Sequence, residues 1–545
     1  MSSSALSGYA FYTSGSPRQE GESKWKYFIR KLFTTKSLSS LEEDQEASKL
    51  KRSLNWLDFI MLGIGNVIGS GIFVLTGQAA ATKSGPAIVI SFIISGIASS
   101  FAALSYSELS TMIPVSGSAY TYSYATMGEL MGWIIGWDLI LEYLVAAAAV
   151  AVGWSAYFVH FFNDTFGIEL SSSWTNAPFT FDETTGSFST VPGAYFNLPA
   201  FLIILLLTII LIIGVKESAT VNTVIVGIKI FVIVIFVIAA GTKINPENYK
   251  PFVPPNEGTF SAFGVTGIFA GASEVFFAYI GFDAVSTTAQ EAKNPQRDLP
   301  IGIIGSLGIC TILYIAVCVV LTGIVPYRQL NSAAPIAVAV QSINMKWLEI
   351  IVNLGAIAGL TSVMLVSLMG QPRIFYSMAQ DGLFLPKTAS KVHPKFKTPY
   401  VTTAITGVIC AVASAVLPID VLANLTSVGT LLAFFLVNIS VMILRLTAPD
   451  APRKFKVPGG PFIVPILGAA LSLLLLATAT VSSIERLFVW MAIGLVIYFS
   501  YGRTHSKANN MKRLEEKEGI KEIVELEKSV KKEGEIDEVE VTEIP

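Results

Sequence analysis

The sequence predicts an all-α, polytopic membrane protein, and composition and hydropathy pattern are the two observations behind this prediction. Of the 545 residues, 52% are hydrophobic and 14% are charged, whereas soluble domains carry about 25% charged residues. Apolar runs recur along most of the chain, and a spanning helix needs about 20 mostly apolar residues. A soluble helical protein is excluded, because its surface helices would each need a polar face.

Twelve of these apolar runs are predicted to be transmembrane helices. The third and the eighth are longer than a bilayer requires, which indicates strong tilt or extension beyond the membrane. The runs cover residues 56–78, 86–106, 127–161, 198–215, 220–241, 262–285, 300–323, 347–378, 400–417, 420–445, 461–482 and 486–503.

Basic residues in the connectors predict the orientation. The connectors after the sixth, eighth and tenth runs, "EAKNPQRDLP", "LPKTASKVHPKFKTP" and "RLTAPDAPRKFKVPGG", are basic, whereas residues 163–199 contain no lysine or arginine. Short basic loops stay on the cytosolic side. We therefore expect both termini to be cytosolic. The membrane itself is expected to be the plasma membrane rather than the vacuolar membrane. The pattern "NDT" at Asn163 is a weak glycosylation signal on the predicted outer side.

The two ends of the chain are polar. Residues 1–50 lack a long apolar run and predict a disordered cytosolic tail, and residues 504–545 are densely charged. The second tail is predicted to be cytosolic, either as a solvated helix or as a disordered segment.

The first apolar run is weakened at its centre. It reads "WLDFIMLGIGNVIGSGIFVLTG", and its middle part "GNVIGSGIF" contains glycines, an asparagine and a serine. Unpaired backbone groups cannot face lipid, so a helix break at this depth must be buried in protein or line a watered cavity.

The sixth run contains a second break. In "EVFFAYIGFDAVST", Gly281 and Asp283 interrupt the apolar pattern. The two broken helices are five helices apart, as expected for two five-helix repeats of inverted topology. Paired breaks at matching positions indicate a substrate site at the repeat interface. The alternative is that the glycines serve close helix packing.

A pair of broken helices suits a zwitterionic ligand. Free N–H groups at the start of a second half-helix, with the positive end of its dipole, favour a carboxylate. Free C=O groups at the end of a first half-helix favour an ammonium group. The sequence therefore predicts an amino acid as substrate.

Lys229 is the first ionisable residue within a predicted span. It lies about nine residues into the fifth run, roughly 13 Å deep at 1.5 Å per residue. A charged residue at such depth is energetically costly and is therefore a candidate functional residue. Burial favours the uncharged amine, which predicts a proton carrier. Snorkelling of the side chain to the inner surface is the alternative.

Glu142 and Asp283 are acidic residues within predicted spans. Glu142, in "LILEYL" of the third run, is predicted either to bind a basic substrate, to connect hydrogen bonds towards Lys229, or to pair structurally with another helix. Asp283, near the cytosolic end of the sixth run, is predicted to belong to an inner gate.

Other kinds of site are not predicted. Cys310, Cys318 and Cys410 lie in apolar runs without metal-ligand spacing, and the three histidines are scattered. The sequence has no phosphate-binding glycine loop followed by Lys-Ser/Thr and no pattern of a catalytic triad. We expect no enzyme activity, no cofactor, no bound metal and no nucleic-acid partner; the expected partners are the lipid bilayer, a proton and the amino acid.

Several motifs together are similar to those of the amino acid–polyamine–organocation superfamily, and most closely of its cationic amino acid transporter family. The resemblance covers about residues 50–400 in motifs and extends to about 505 in helix layout. The motifs are "LKRSLNWLDFIMLGIGNVIGSGIFVLTG", "ALSYSELSTMIPVSGSAYTYSYATMGE", "GWDLILEYLVAAAAVAVGWSAY", "FFAYIGFDAVSTTAQEAKNPQRDLPIGI" and "GQPRIFYSMAQDGLFLP".

The resemblance implies the leucine-transporter fold and secondary amino acid transport. It implies a ten-helix core at residues 51–445 followed by two further helices at 461–503. In proton-coupled relatives a lysine of the fifth helix faces the first break, which favours the proton role of Lys229. The spacing of Glu142 agrees with the family's third-helix glutamate.

The resemblance also implies a substrate site, position by position. The substrate carboxylate is expected at the backbone of three residues of the first broken helix, and the amino group at carbonyls of both broken helices. Ser367 in the eighth run is expected to line the side-chain pocket. Phe277 or Phe282 is a gate candidate, with packing as the alternative. The carboxylate positions are Ser70, Gly71 and Ile72; the amino-group positions are Val67, Phe277, Ala278 and Ile280.

These observations predict a secondary active, proton-coupled transporter that works by alternating access. Cationic or broad-range L-amino acids are the expected substrates. A permease for small neutral amino acids or 4-aminobutyrate, and an amino-acid-sensing receptor of the same fold, remain as alternatives. A channel is disfavoured, because no polar or charged rings line the predicted spans.

Overall fold

Helices form most of the described chain. The computed structural model describes residues 23–36 and 54–507, except for 115–116, 183–185, 214–218, 288, 290–291, 333, 385–388, 390, 392 and 395–397. The α-helices are Lys24–Leu32, Trp56–Val67, Thr76–Ala79, Ile88–Met112, Ser118–Met127, Glu129–Ile140, Ala146–Phe166, Ser172–Thr175, Leu198–Ile213, Ala219–Gly241, Gly264–Val275, Ala284–Thr287, Pro295–Ile324, Pro335–Ser342, Lys346–Gln380, Tyr400–Val416, Ile419–Thr447, Ile463–Ala477, Val481–Ile497 and Arg503–His505.

Shorter turns of other helix types interrupt or extend these helices. Four are π-helical, at Gly71–Leu75, Ala80–Ser84, Leu141–Val145 and Tyr498–Gly502, and four are 3₁₀ turns, at Gly85–Ala87, Pro246–Tyr249, Phe276–Tyr279 and Tyr327–Leu330, within the residues that the structure describes.

Within the described residues, eight helices are long and apolar enough to cross a membrane, which supports the predicted helical, multi-pass membrane protein. They are Gly71–Met112, Glu129–Phe166, Thr223–Gly241, Gly264–Thr287, Pro295–Ile324, Lys346–Gln380, Ile419–Thr447 and Val481–His505.

Four shorter apolar helices accompany them: Trp56–Val67, Leu198–Ile213, Tyr400–Val416 and Ile463–Ala477. Every one of the twelve predicted apolar runs is therefore largely helical. The third and eighth runs are long, as predicted, at 38 and 35 residues. The count of twelve spans stays a prediction, because these four helices fall short of the roughly 20 residues of a full crossing.

A β-hairpin in the connector 163–199 was not predicted. Strands Phe179–Asp182 and Ser187–Thr190 pair antiparallel, with Phe181 opposite Phe188. The two phenylalanine rings lie 5.0 Å apart at 64°, an edge-to-face contact of the kind that stabilises paired strands. This hairpin is a small addition to an otherwise helical protein.

Part of the N-terminal segment is ordered, which differs from the disordered tail expected over residues 1–50. Ser23 caps the helix Lys24–Leu32 by accepting a hydrogen bond from the Lys26 N–H at 3.2 Å. Leu32 is buried, and the Thr34 carbonyl accepts a hydrogen bond from the Glu129 N–H at 3.0 Å. Burial and these bonds fix the segment. The rest of this tail, and residues 508–545, lie outside the described residues.

Small residues let the helix Trp56–Val67 pack directly against Pro295–Ile324. A Cβ atom on Gly302 would lie 2.4 Å from the Phe59 Cβ, and one on Gly63 would lie 2.6 Å from the Ser306 Cβ. Without a hydrophobic driving force between helices in lipid, such close backbone approach provides the contact energy. This contact places the helix that carries Tyr314 beside the first break.

Candidate functional site

The first broken helix consists of Trp56–Val67 and the continuation that begins at Gly71. Its first half starts with a capping box between Asn55 and Asp58 and ends at Ile68, whose φ of −73° and ψ of 96° leave the helical region. Ile68 and Ser70 are fully buried. The predicted break therefore exists and is shielded from lipid, as the physics of unpaired backbone groups requires.

The second broken helix runs from Gly264 to Thr287. After Val275 it tightens into a 3₁₀ turn, Phe276–Tyr279, and Ile280 is extended with φ −64° and ψ 139°. Gly281 has a φ of +113°, a conformation that residues with a Cβ rarely adopt. The sequence signal at Gly281 therefore corresponds to a backbone position that needs glycine.

The two breaks contact each other. The Asn66 Nδ2 donates a hydrogen bond to the Gly281 carbonyl at 3.0 Å. A Cβ on Gly71 would lie 2.3 Å from the Ala278 Cα, so the two backbones touch at this point. Gly71 therefore serves close packing between the breaks, as the alternative interpretation predicted, and the substrate site stays a prediction.

A small cavity lies between the breaks and two neighbouring helices. It has a volume of about 30 Å³, which is room for one or two water molecules and not for an amino acid. Binding of the predicted amino acid here would therefore require the helices to move apart. Its lining consists of Asn66, Val67, Gly69, Ser70, Gly71, Glu142, Tyr143, Ala146, Val150, Phe277, Ile280, Gly281, Val363 and Ser367.

Seven of the nine predicted substrate residues line this cavity: Val67, Ser70, Gly71, Glu142, Phe277, Ile280 and Ser367. Ile72 and Ala278 do not line it, although both are buried beside it in the two broken helices. The Ser70 Oγ is buried without a hydrogen-bond partner among the described residues. The cavity thus holds an unused polar group at the position expected for a substrate carboxylate.

Lys229 lies directly behind the first break. Its side chain is fully buried, and its Nζ donates hydrogen bonds to the Gly65 carbonyl at 2.6 Å and the Ile68 carbonyl at 3.2 Å. Burial excludes snorkelling to the inner surface in this conformation. The Lys229 ammonium group thus donates to backbone carbonyls that the interrupted helix leaves without an N–H donor.

Glu142 and Asp283 bring the third helix and the second broken helix together. Glu142 lies in the π-helical turn Leu141–Val145, and its carboxyl group neighbours that of Asp283. The Tyr143 hydroxyl donates to the Asp283 Oδ2 at 3.1 Å. As two carboxylates, these groups would repel each other in a buried place.

The two aromatic gate candidates differ in position. Phe277 lines the cavity, whereas Phe282 lies outside it in an aromatic cluster. The Phe282 ring is 6.0 Å from Tyr106 at 88° and 5.2 Å from Phe434. Phe282 therefore has the packing contacts that the alternative interpretation predicted.

The comparison with known families agrees with this geometry. A model of the family described as amino acid permease matches residues 54–499, which include both breaks, Lys229 and the cavity. The chain belongs to the amino acid permease family. The predicted membership of the amino acid–polyamine–organocation superfamily is thereby confirmed.

Individual relatives span almost the whole described part of this permease. The branched-chain amino acid permease BcaP of Bacillus subtilis is 47% identical over 480 residues, covering 88% of this chain and 99% of the relative. The methylthioribose transporter of the same organism is 44% identical over 478 residues with the same coverage. The vacuolar cationic amino acid transporter 4 of Arabidopsis thaliana is 38% identical over 404 residues, covering 74% of this chain and 64% of the relative. These relatives are transporters, and the permease is not an enzyme.

Two polar residues of this permease's site were not predicted. The Tyr314 hydroxyl lies 2.8 Å from the carbonyls of both Val67 and Ala278, and Asn66 joins the breaks as described above. Asn66 was part of the quoted glycine-rich stretch, so its polarity was a usable signal. Tyr314 stands in an ordinary apolar run, "CTILYIAV", in which nothing distinguishes it from a packing residue.

Proposed function

We propose that this permease is a proton-coupled amino acid transporter that works by alternating access. The single observation behind the proposal is the buried Lys229 amine, held by two carbonyls of the first broken helix beside the cavity. An ammonium group has three N–H donors and can therefore make both of these bonds. After loss of the proton the attraction weakens, and the first broken helix is free to move.

The backbone of the breaks supplies the contacts to the substrate's α-groups. The carboxylate binds at the N–H groups of Ser70, Gly71 and Ile72, and the ammonium group at carbonyls among Val67, Phe277, Ala278 and Ile280. In the closed conformation the Tyr314 hydroxyl lies against two of these carbonyls, those of Val67 and Ala278. When the substrate enters, its ammonium group replaces the Tyr314 hydroxyl at these carbonyls.

The cavity lining favours a neutral, apolar substrate side chain. Ala146, Val150, Ile280 and Val363 line it, and burying apolar surface there gains about 25 cal/mol per Å². The relative named branched-chain amino acid permease supports this choice of a neutral, apolar side chain.

A basic substrate is the second candidate, because the carboxyl group of Glu142 also lines the cavity. Among the described residues, both of its oxygens lack a hydrogen-bond donor. A lysine or arginine side chain would provide one. Relatives named cationic amino acid transporters support this candidate.

The proposed arrangement of the helices is an inverted repeat followed by two further helices. Residues 51–445 form two five-helix repeats of inverted topology, residues 461–503 add two more spanning helices, and both terminal tails are cytosolic. The membrane is the plasma membrane. Rocking of the broken helices against the other helices exposes the cavity to each side in turn.

Transport by the purified protein in liposomes tests the proposal. With a proton gradient directed inward, wild-type protein is expected to accumulate radiolabelled leucine. Lys229→Ala is expected to lose accumulation while it keeps exchange of labelled for unlabelled leucine, because the backbone site is intact. Lys243→Ala is the matched control, since Lys243 is exposed just beyond the same helix.

Competition within the same assay identifies the substrate class. Unlabelled leucine, isoleucine and valine are expected to block uptake, and block by arginine and lysine alone would favour the basic candidate. Gradient-driven accumulation by Lys229→Ala would refute the proton role. Saturable binding without any uptake would indicate a sensor instead of a transporter.

A further inference from the structure

A cluster of three ligand-type side chains lies far from the cavity. His160 and Asp164 are one turn apart in the helix Ala146–Phe166, and Glu349 comes from the first turn of Lys346–Gln380. The His160 Nδ1 lies 2.5 Å from the Asp164 Oδ2 and 3.8 Å from the Glu349 Oε1. One ligand atom of each residue lies within 4.8 Å of the other two.

The polar atoms of this cluster are poorly satisfied. Glu349 is only 6% exposed, and its Oε1 has no hydrogen-bond partner among the described residues. The His160 Nδ1 lies close to both carboxyl groups but also lacks a well-directed hydrogen bond within the described chain. Burying an acceptor without a donor costs free energy. This unpartnered Glu349 Oε1 lies 3.8 Å from the His160 Nδ1.

From this geometry we infer that His160, Asp164 and Glu349 bind a divalent transition metal ion, with Zn²⁺ as the ion that fits best. An imidazole nitrogen with two carboxylate oxygens is a donor set that Zn²⁺ uses. Mg²⁺ and Ca²⁺ prefer oxygen ligands throughout. A cation between the three side chains would satisfy the buried Glu349 oxygen and relieve the repulsion between the two carboxylates.

The dimensions suit such an ion. Ligand bonds of about 2.0–2.1 Å in tetrahedral geometry separate ligand atoms by about 3.4 Å. The two distances from the His160 Nδ1, 2.5 Å to Asp164 and 3.8 Å to Glu349, bracket that separation. Small side-chain rotations therefore complete the site. The Asp164 side chain is 32% exposed, which provides an entry path and room for a water molecule as fourth ligand.

The cluster is separate from the proposed transport site. His160 follows Glu142 by 18 residues, and Glu349 precedes Ser367 by 18 residues. The nearest lining residues are Val150, 10 residues before His160, and Val363, 14 residues after Glu349. At 1.5 Å per residue these separations are about 15 Å and 21 Å along the two helices. A bound metal would join two helices that both line the cavity, yet the inference does not depend on which substrate is transported.

Metal titration of the purified protein, with an affinity tag that contains no histidine, tests the inference. Isothermal titration is expected to give one saturable Zn²⁺ site per chain. His160→Gln and Glu349→Gln are each expected to weaken binding by at least about 100-fold, because loss of even an outer-shell partner costs about 10–100-fold. His393→Gln is the matched control and is expected to bind as the wild type does.

A second readout separates loss of the site from loss of folding. Zn²⁺ is expected to raise the thermal unfolding temperature of the wild type and the control but not of the ligand variants, since only a folded site gains from binding. Co²⁺ as a spectroscopic probe is expected to show the absorption of a tetrahedral site in the wild type and the control but not in the ligand variants. Absence of saturable Zn²⁺ binding by the folded wild type, or equal binding by folded ligand variants, would overturn the inference.

Discussion

At the scale of single residues, the Tyr314 hydroxyl connects the two halves of the proposed site. It lies 2.8 Å from the Val67 carbonyl and 2.8 Å from the Ala278 carbonyl. A hydroxyl has one proton, so it cannot donate fully to both carbonyls at once. These carbonyls are also two of those predicted to bind the substrate ammonium group, and Tyr314 thus stands where that group would bind.

Replacing this hydroxyl is expected to destabilise the closed protein. Tyr314→Phe leaves two buried carbonyls without this donor, which costs about 1–3 kcal/mol of stability. Thermal unfolding of the detergent-purified protein, followed by intrinsic fluorescence, measures the change.

Tyr249→Phe is the matched control for this variant. The Tyr249 hydroxyl donates to the Val319 carbonyl at an exposed position, where water can replace it. Its unfolding temperature is expected to change less than that of Tyr314→Phe. Equal changes of the unfolding temperature in the two variants would mean that the Tyr314 hydroxyl between the breaks stabilises the protein no more than an exposed hydroxyl does.

At the scale of elements, the second break depends on the backbone conformation of Gly281. Its φ is +113°, and a Cβ there would lie 2.8 Å from the Asn66 Nδ2 of the first broken helix. One residue therefore sets both the path of its own helix and the distance to the other. Gly71 is a less selective position to test, because a side chain there would strike the Ala278 backbone whether or not substrate binds.

Gly281→Ala is expected to weaken amino acid binding by at least about fivefold. Left-handed backbone at a residue with a Cβ costs about 1–3 kcal/mol, and 1 kcal/mol corresponds to about a factor of five. Equilibrium binding of radiolabelled leucine to the purified variant measures the effect.

Gly227→Ala is the control, since a Cβ at Gly227 meets nothing within 4 Å. This variant is expected to keep wild-type affinity. Wild-type affinity in Gly281→Ala would show that the second break does not shape the binding site.

At the scale of the whole molecule, Asp381 joins parts of the chain that are distant in sequence. Its carboxylate accepts hydrogen bonds from the Tyr120 hydroxyl at 2.6 Å and the Lys36 Nζ at 3.3 Å, and its carbonyl accepts one from the Lys507 N–H at 2.9 Å. Burial raises the pKa of Tyr120 well above its usual value, and the negative charge of Asp381 raises it further. Tyr120 therefore remains a hydrogen-bond donor, and we expect the network to hold the predicted cytosolic end closed.

Asp381→Asn is expected to open this end more often. Loss of the charge-assisted bonds weakens the closed conformation by about 1 kcal/mol, which corresponds to about a fivefold change in population. In inside-out vesicles, a cysteine introduced as Ser367→Cys should then react about fivefold faster with a membrane-impermeant thiol reagent.

Two controls accompany this measurement. The protein without Ser367→Cys gives the background, because Cys310, Cys318 and Cys410 are all buried. Asp450→Asn changes an exposed carboxylate on the same predicted side and should leave the labelling rate unchanged. An unchanged rate in Asp381→Asn would show that the network does not control opening.

Features that depend on local pattern could be predicted from the sequence. Apolar runs located the helices, the glycine-rich stretch and Gly281 located both breaks, and Lys229 was identified from its depth in a span. Each of these follows from neighbouring residues, because lipid permits few backbone conformations besides a helix. The family resemblance then placed six residues that the structure brings to one cavity together with Glu142, which was identified as an acidic residue within a span.

The tertiary structure alone decided which distant side chains meet. Tyr314 reaches both breaks, Glu142 neighbours Asp283, and His160 lies near Glu349, 189 residues later. The helix Lys24–Leu32 is another example, since its buried contact to the residues around Glu129 crosses about a hundred residues. Hydropathy restricts where a helix lies, but the rotation of that helix is set by packing against its neighbours, and rotation decides which side chains face one another.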